Sequence, residues 1–158
     1  MGYTENLIDF IGKSTDCYHA VKTAKDRLDE NGFTELFEGD KWDVQNDGKY
    51  YVIRNSSSII AFEMPKKDFG AFMICASHTD SPSFKLKPDF EINADGCIKL
   101  SVEGYGGMIM SSWLDRPLSI SGRIVTAKDG KVETKLVNID RDLLVIPSLA
   151  IHMSRDIN

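Results

Sequence analysis

The chain has 158 residues, 42% of them hydrophobic and 27% charged, with 19 Lys and Arg against 24 Asp and Glu for a net charge of −5. That is one ordinary globular domain, or one and a half small ones, with enough chain to bury a core unaided, and it excludes a disordered tail, a collagen-like repeat and a low-complexity linker. The acidic balance speaks against a nucleic-acid partner, whose phosphates need clustered Lys and Arg, and no apolar run reaches membrane-spanning length.

The first third reads as helical. Thr4 is placed to cap a short helix carrying Leu7, Ile8 and Ile11 on one face, with Gly12 as its end. Ser14, Thr15 and Asp16 offer a second cap. Cys17, Ala20, Val21, Ala24 and Leu28 then recur at helical spacing opposite Lys22, Lys25, Asp26 and Asp29, and Asn31-Gly32 is the stop. This predicts an amphipathic helix packed on a sheet. Lys49–Arg54 and Ser58–Glu63 read as paired strands around a turn at Asn55–Ser57. Ala71–Ala76 is apolar without alternation, which predicts a strand buried on both faces in the centre of an α/β sheet. It runs into Ser77-His78-Thr79-Asp80-Ser81-Pro82, where such sheets keep their ligands.

Beyond Pro88 the helical period disappears. Asn93–Gly96 and Asp129-Gly130 are hairpin turns, and Leu118, Ile120, Ile124, Val132 and Leu136 fall on period-two faces. An all-β stretch is expected from Asp89. The last residues follow the apolar run Leu143–Ile151 without a closing element, which reads as a break inside a domain. Cys17, Cys75 and Cys97 are odd in number and widely spaced, so each is expected as a small buried hydrophobe in a reducing, cytoplasmic setting. The start shows no basic segment followed by an apolar one, as a secretory leader would.

Three histidines are present, so each can be weighed. His19 sits within the second helical segment and reads as a packed helix residue. His78 and Asp80 lie two apart, on one side of an extended chain. One ring nitrogen of His78 can then bind a metal while Asp80 takes the proton on the other, fixing tautomer and orientation. The competing reading is a hydrogen-bonded polar turn at the sheet rim. Asp115, in Trp113-Leu114-Asp115-Arg116-Pro117, reads as a partner of Arg116 or a turn cap rather than a bridging ligand. His152, after Leu149-Ala150-Ile151, reads as a core or interface group. No nucleophile elbow, phosphate loop or dinucleotide fingerprint occurs.

Several motifs in this order carry a resemblance. They are Thr15–Val21, Tyr50–Asn55, Ala76–Pro82, Lys85–Pro88, Tyr105–Gly107, Trp113–Leu118 and Ile146–His152. Together they resemble the N-terminal part of the M18 family of zinc aminopeptidases, the aspartyl aminopeptidases, over nearly the whole chain. The resemblance implies an α/β fold: part of a zinc-peptidase domain at 1–88, then the first part of a β-rich interface domain at 89–158. It implies two zinc ions in the complete enzyme and removal of an N-terminal residue, often Asp or Glu, from peptide substrates. Homodimers are implied to build a dodecamer. His78 matches a metal ligand, Asp80 the supporting carboxylate at the catalytic centre, and His152 a residue that contacts substrate at a neighbouring subunit's site. Asp115 falls in the interface motif and acquires no metal role.

The family's remaining ligands and its general-base Glu have no counterpart in this sequence. A site with two metals and a proton-shuttling carboxylate cannot be assembled from one His and one Asp, so this chain alone is expected to be inactive. The alternatives from other classes are a non-catalytic β-rich assembly module, a degenerate remnant of such an enzyme, and a related dinuclear peptidase or deacylase.

Overall fold

The computed structural model describes residues 2–94 and 96–153. In chain order the elements are α1 (Tyr3–Lys13), α2 (Cys17–Glu30), β1 (Thr34–Glu35), β2 (Lys49–Arg54), β3 (Ser58–Glu63), β4 (Ser83–Ala94), β5 (Cys97–Tyr105), a 3-10 turn (Met110–Trp113), β6 (Ser121–Lys128) and β7 (Lys131–Asn138). This is the mixed helix-and-sheet composition expected of an α/β chain. Two compact units emerge: one runs to Asp80 and includes Ile120–Ile139, the other holds Ser81–Ser119 and the residues from Asp140 onward. The sequence, by contrast, sets the start of the β-rich stretch at Asp89.

In the first unit α1 begins at Gly2, whose backbone N–H donates to the Glu5 carboxylate at 2.7 Å, so Thr4 lies inside the helix instead of capping it. Gly12 does not end it either. A single helical glycine costs only ~1 kcal/mol relative to alanine, and the Asp9–Lys13 pair spans the last turn at 2.9 Å. Asp16 caps α2 as expected, its carboxylate accepting from the N–H of Tyr18 at 2.8 Å and of His19 at 3.0 Å. Gly32 then takes φ +78°, the left-handed geometry that closes a helix.

The sheet runs β1-β2-β3, parallel then antiparallel, and the Asn55–Ser57 turn joins its last two strands. Among the described residues the buried hydrophobics are Ala20 and Val21 of α2 and Tyr50 and Tyr51 of β2. Neighbouring strand residues face opposite ways, so burial of both tyrosines means β2 is covered on both sides. Tyr51 is fully buried, and its hydroxyl donates to Asp29 of α2 at 2.6 Å. On the other face Tyr50 packs against Phe62, ring centroids 5.6 Å apart, and its hydroxyl accepts from the N–H of Gln45 at 2.9 Å. A Cβ at Gly48 would overlap the Tyr50 ring, with Cζ at 2.7 Å. Gly48→Ala is therefore expected to destabilise the chain by about 1–3 kcal/mol, as overpacking does, which a lowered urea midpoint would register.

The β6–β7 hairpin completes this unit. Its two-residue turn places Asp129 at φ +52° and Gly130 at +74°, the double positive-φ turn predicted from Asp-Gly. In the second unit β4 and β5 pair antiparallel, with a register shift between Leu86 and Glu91. Pro88 lies in that shift, where its missing N–H breaks no ladder bond. Strand structure therefore starts at Ser83, ahead of the expected Asp89. The turn expected at Asn93–Gly96 includes Asp95, which lies outside the described residues. Phe84 meets Trp113 edge to face at 5.5 Å, and the N–H of Leu118 donates to Leu144 at 2.9 Å.

One strong expectation fails. Ala71–Ala76 forms no strand, and Phe72 and Ile74 are 78% and 83% exposed. A strand buried on both faces needs sheet neighbours and covering layers, and among the described residues no strand pairs with this run. The cysteine expectation fails with it. Cys75 and Cys97 are exposed and Cys17 is half-buried, and no disulfide joins them. Among the described residues no helix is long and apolar enough to cross a membrane.

Candidate metal centre

His78 lies in the irregular segment between β3 and β4. Its Nδ1 stands 2.8 Å from the backbone oxygen of Asp80 and 3.1 Å from Asp80 Oδ1. A carbonyl oxygen only accepts, so Nδ1 must carry the proton and donate. In the neutral imidazole Nε2 then holds the bare lone pair. Among the described residues it has no hydrogen-bond partner, and the side chain is 80% exposed. The i, i+2 pairing expected of a strand is thus made by a loop. Thr79, between the two, donates from Oγ1 to the backbone oxygen of Ser57 at 2.7 Å.

The donor set suits a metal ligand with its orienting carboxylate: neutral imidazole nitrogen exposed on one side, proton held on the other. A protein zinc site takes three or four protein ligands. Among the described residues no group of three or more His, Cys, Asp and Glu is gathered to hold an ion. His78 and Asp80 therefore fit one corner of such a site.

His152 belongs to the second unit, in the exposed turn at 151–153. His19 is held at home: its Nδ1 lies 2.6 Å from Asp16 Oδ2 in a largely buried pair. Burial pushes the Asp16 carboxyl up, but hydrogen bonds from the His19 N–H, the Ser121 hydroxyl and the His19 ring outweigh it and leave it below the usual carboxylate range. Asp115 ties the second unit together. Its N–H donates to Ile146 at 2.9 Å, and its Oδ1 accepts from the N–H of Ser148 at 2.8 Å. The hydrogen bonding from Ser148 lowers its carboxyl from the ordinary value. Of the two readings offered for Asp115, a loop cap is closer than a pair with Arg116, whose guanidinium reaches the Ser112 carbonyl at 3.4 Å. A shallow hollow of about 420 Å³ lined by Asp115, Arg116, Pro117 and Asp142–Val145 includes none of His78, Asp80 and His152.

The sequence reading missed the support behind the pair. The backbone oxygen and Oδ1 of Asn55 accept from one nitrogen of Arg123 at 2.7 and 3.0 Å, and that guanidinium lies 4.4 Å from the centre of the Tyr18 ring. Positions 55 and 123 are 68 apart, and no local pattern links them.

Residues 10–158 match a family described as aminopeptidase I zinc metalloprotease (M18). A probable M18 family aminopeptidase 2 of Clostridium acetobutylicum is 48% identical over 99% of this chain. The chain spans about 37% of that relative's length. Among solved structures, one of a complex of Ape4 with Nbr1 superposes with a TM-score of 0.89 and 42% identity, covering 95% of this chain and 30% of that one. The mApe1 dodecamer of S. cerevisiae gives 0.78 and 33%, covering 94% of this chain and 36% of that one.

Proposed function

The chain belongs to the M18 family of zinc metallopeptidases, and on that premise we propose that it supplies the N-terminal part of a dinuclear zinc aminopeptidase acting on peptides with N-terminal Asp or Glu. The observation that carries this reading is the His78–Asp80 contact, which leaves Nε2 as the accepting nitrogen inside the matched segment. In this reading residues 1–88 would supply part of the peptidase domain and 89–158 the first part of the interface domain, with Ile120–Ile139 packed in one compact unit with the residues up to Asp80. The assembled enzyme is a cytoplasmic homo-oligomer, a reading that draws on the dodecameric relative.

Zinc, when bound, would polarise the peptide carbonyl and acidify water. His78 would hold one ion through Nε2. Asp80 keeps the Nδ1 proton in place and so prevents the tautomer that cannot ligate. His152 would contact substrate at a neighbouring subunit. With a single candidate ligand the chain alone does not retain an ion tightly and does not turn over peptide.

A chimera tests this. The chain would replace the matching segment of the Clostridium acetobutylicum relative and be assayed with peptides bearing N-terminal Asp, Glu or Leu. The chimera is expected to show zinc-dependent release of the acidic residues, and the 158-residue chain none. A folded chimera without turnover, beside an active parent, would sink the proposal; efficient cleavage by the chain alone would show a complete site here.

A further inference from the structure

We propose that Thr79 is a positioning residue for His78, anchoring the imidazole by its hydrogen bond to the Ser57 carbonyl at the β2–β3 turn. This rests on the reading of His78 as a metal ligand, but it makes its own claim about the ring in the metal-free chain.

An exposed His–Asp contact two residues apart is weak by itself. Water screens it, and ordering two side chains on a loop opposes it. His78 has no strand beneath it, because Ala71–Ala76 is irregular. Yet its neighbour Thr79 is half-buried, and its hydroxyl reaches 22 residues back to Ser57 at 2.7 Å. Thr79 lies between the donor and the acceptor of the pair, so a loop motion that separates His78 from Asp80 strains this bond.

The receiving turn is itself held. Asn55 and Ser56 both occupy the left-handed region, at φ +51° and +56°. Arg123 of β6 donates to both the backbone and the side-chain oxygen of Asn55. The guanidinium in turn rests on Tyr18 in the first turn of α2. A helix, a sheet turn and a second hairpin, all in one compact unit, thus converge on the Asn55–Ser57 turn whose Ser57 carbonyl Thr79 uses. The imidazole is exposed, but the neighbouring Thr79 is tied to the turn that follows β2, the strand carrying the buried Tyr50 and Tyr51.

The experiment uses the full chain. Thr79→Val keeps the branched shape and removes the donor; Thr79→Ser keeps the donor. Long-range proton–nitrogen spectra of the imidazoles report the His78 tautomer without metal. The Nδ1–H form is expected in the parent chain and in Thr79→Ser, and averaged tautomers in Thr79→Val. Asn55→Gly, which tolerates the left-handed backbone and removes Oδ1, is expected to give partial averaging without touching the His78 loop. Zinc titration should then show about tenfold weaker binding for Thr79→Val than for the parent, restored by serine. An unchanged tautomer in both Thr79→Val and Asn55→Gly overturns the inference. Zinc affinity unaffected by His78→Ala overturns the metal reading instead, and the tautomer comparison still decides the positioning role.

Discussion

His78→Ala in the chimera is expected to lower turnover of N-terminal Asp or Glu peptides on the order of 10³-fold, because losing one protein ligand forfeits several kcal/mol of charge stabilisation in the transition state. Asp80→Asn should be milder, about 10-fold to 100-fold, as losses of ligand-orienting groups are. The backbone oxygen of Asp80 still accepts from Nδ1 at 2.8 Å, so the tautomer is not abandoned when the carboxylate is neutralised. Bound zinc, counted by elemental analysis, should fall in the first variant and be partly kept in the second. Equal activity of parent and His78→Ala would remove His78 from the site altogether.

The second large effect concerns Tyr51, which holds α2 to the sheet. Its ring is fully buried, its hydroxyl donates to Asp29, and it accepts from Lys25, which also pairs with Glu35 at 2.7 Å. Tyr51→Ala should cost about 3–5 kcal/mol, enough to unfold a marginal domain. Tyr51→Phe keeps the ring and loses two charge-assisted hydrogen bonds, for a cost of about 1.5–3 kcal/mol. Burial, followed by the bond to Asp29, pushes the Tyr51 hydroxyl up from 10.0 to about 12. The hydrogen bonds to Glu35 and then Tyr51 raise Lys25 in the same direction.

A group whose pKa is higher folded than unfolded contributes fully below its unfolded value and loses that contribution as pH rises through the folded one. Stability is thus expected to hold below pH 10 and to decline between pH 10 and about 12. Tyr51→Phe should flatten that decline while leaving the part due to Lys25. Urea midpoints taken at intervals across this window measure both. Equal slopes in parent and variant would mean that the buried hydroxyl is not what couples stability to alkaline pH.

Much of the first compact unit was legible from local pattern. Asp16 caps α2 because a carboxylate before a helix finds N–H groups without partners. Gly32, after Asn31, ends it, and Asp129-Gly130 turns the last hairpin, because Gly32, Asp129 and Gly130 reach positive φ at little cost. The misreadings have equally local causes. Gly12 is a weak stop when an ion pair bridges the same turn, and Gly2, not Thr4, opens α1. Ala71–Ala76 has the composition of a central strand, but composition cannot supply neighbours, and the run stands exposed without them.

At the site, the His-x-Asp spacing by itself identified two groups able to share a proton, and the ordered motifs identified the family. Chemistry of that kind is carried by residue type and separation along the chain. Only the tertiary structure decided that Nδ1 is the protonated nitrogen, because that depends on both acceptors lying within hydrogen-bond reach. It alone showed that Thr79 bonds Ser57 and that Arg123 braces Asn55. These are contacts between residues 22 and 68 apart, and no short-range periodicity encodes which carbonyl a hydroxyl or guanidinium will meet once the chain has folded.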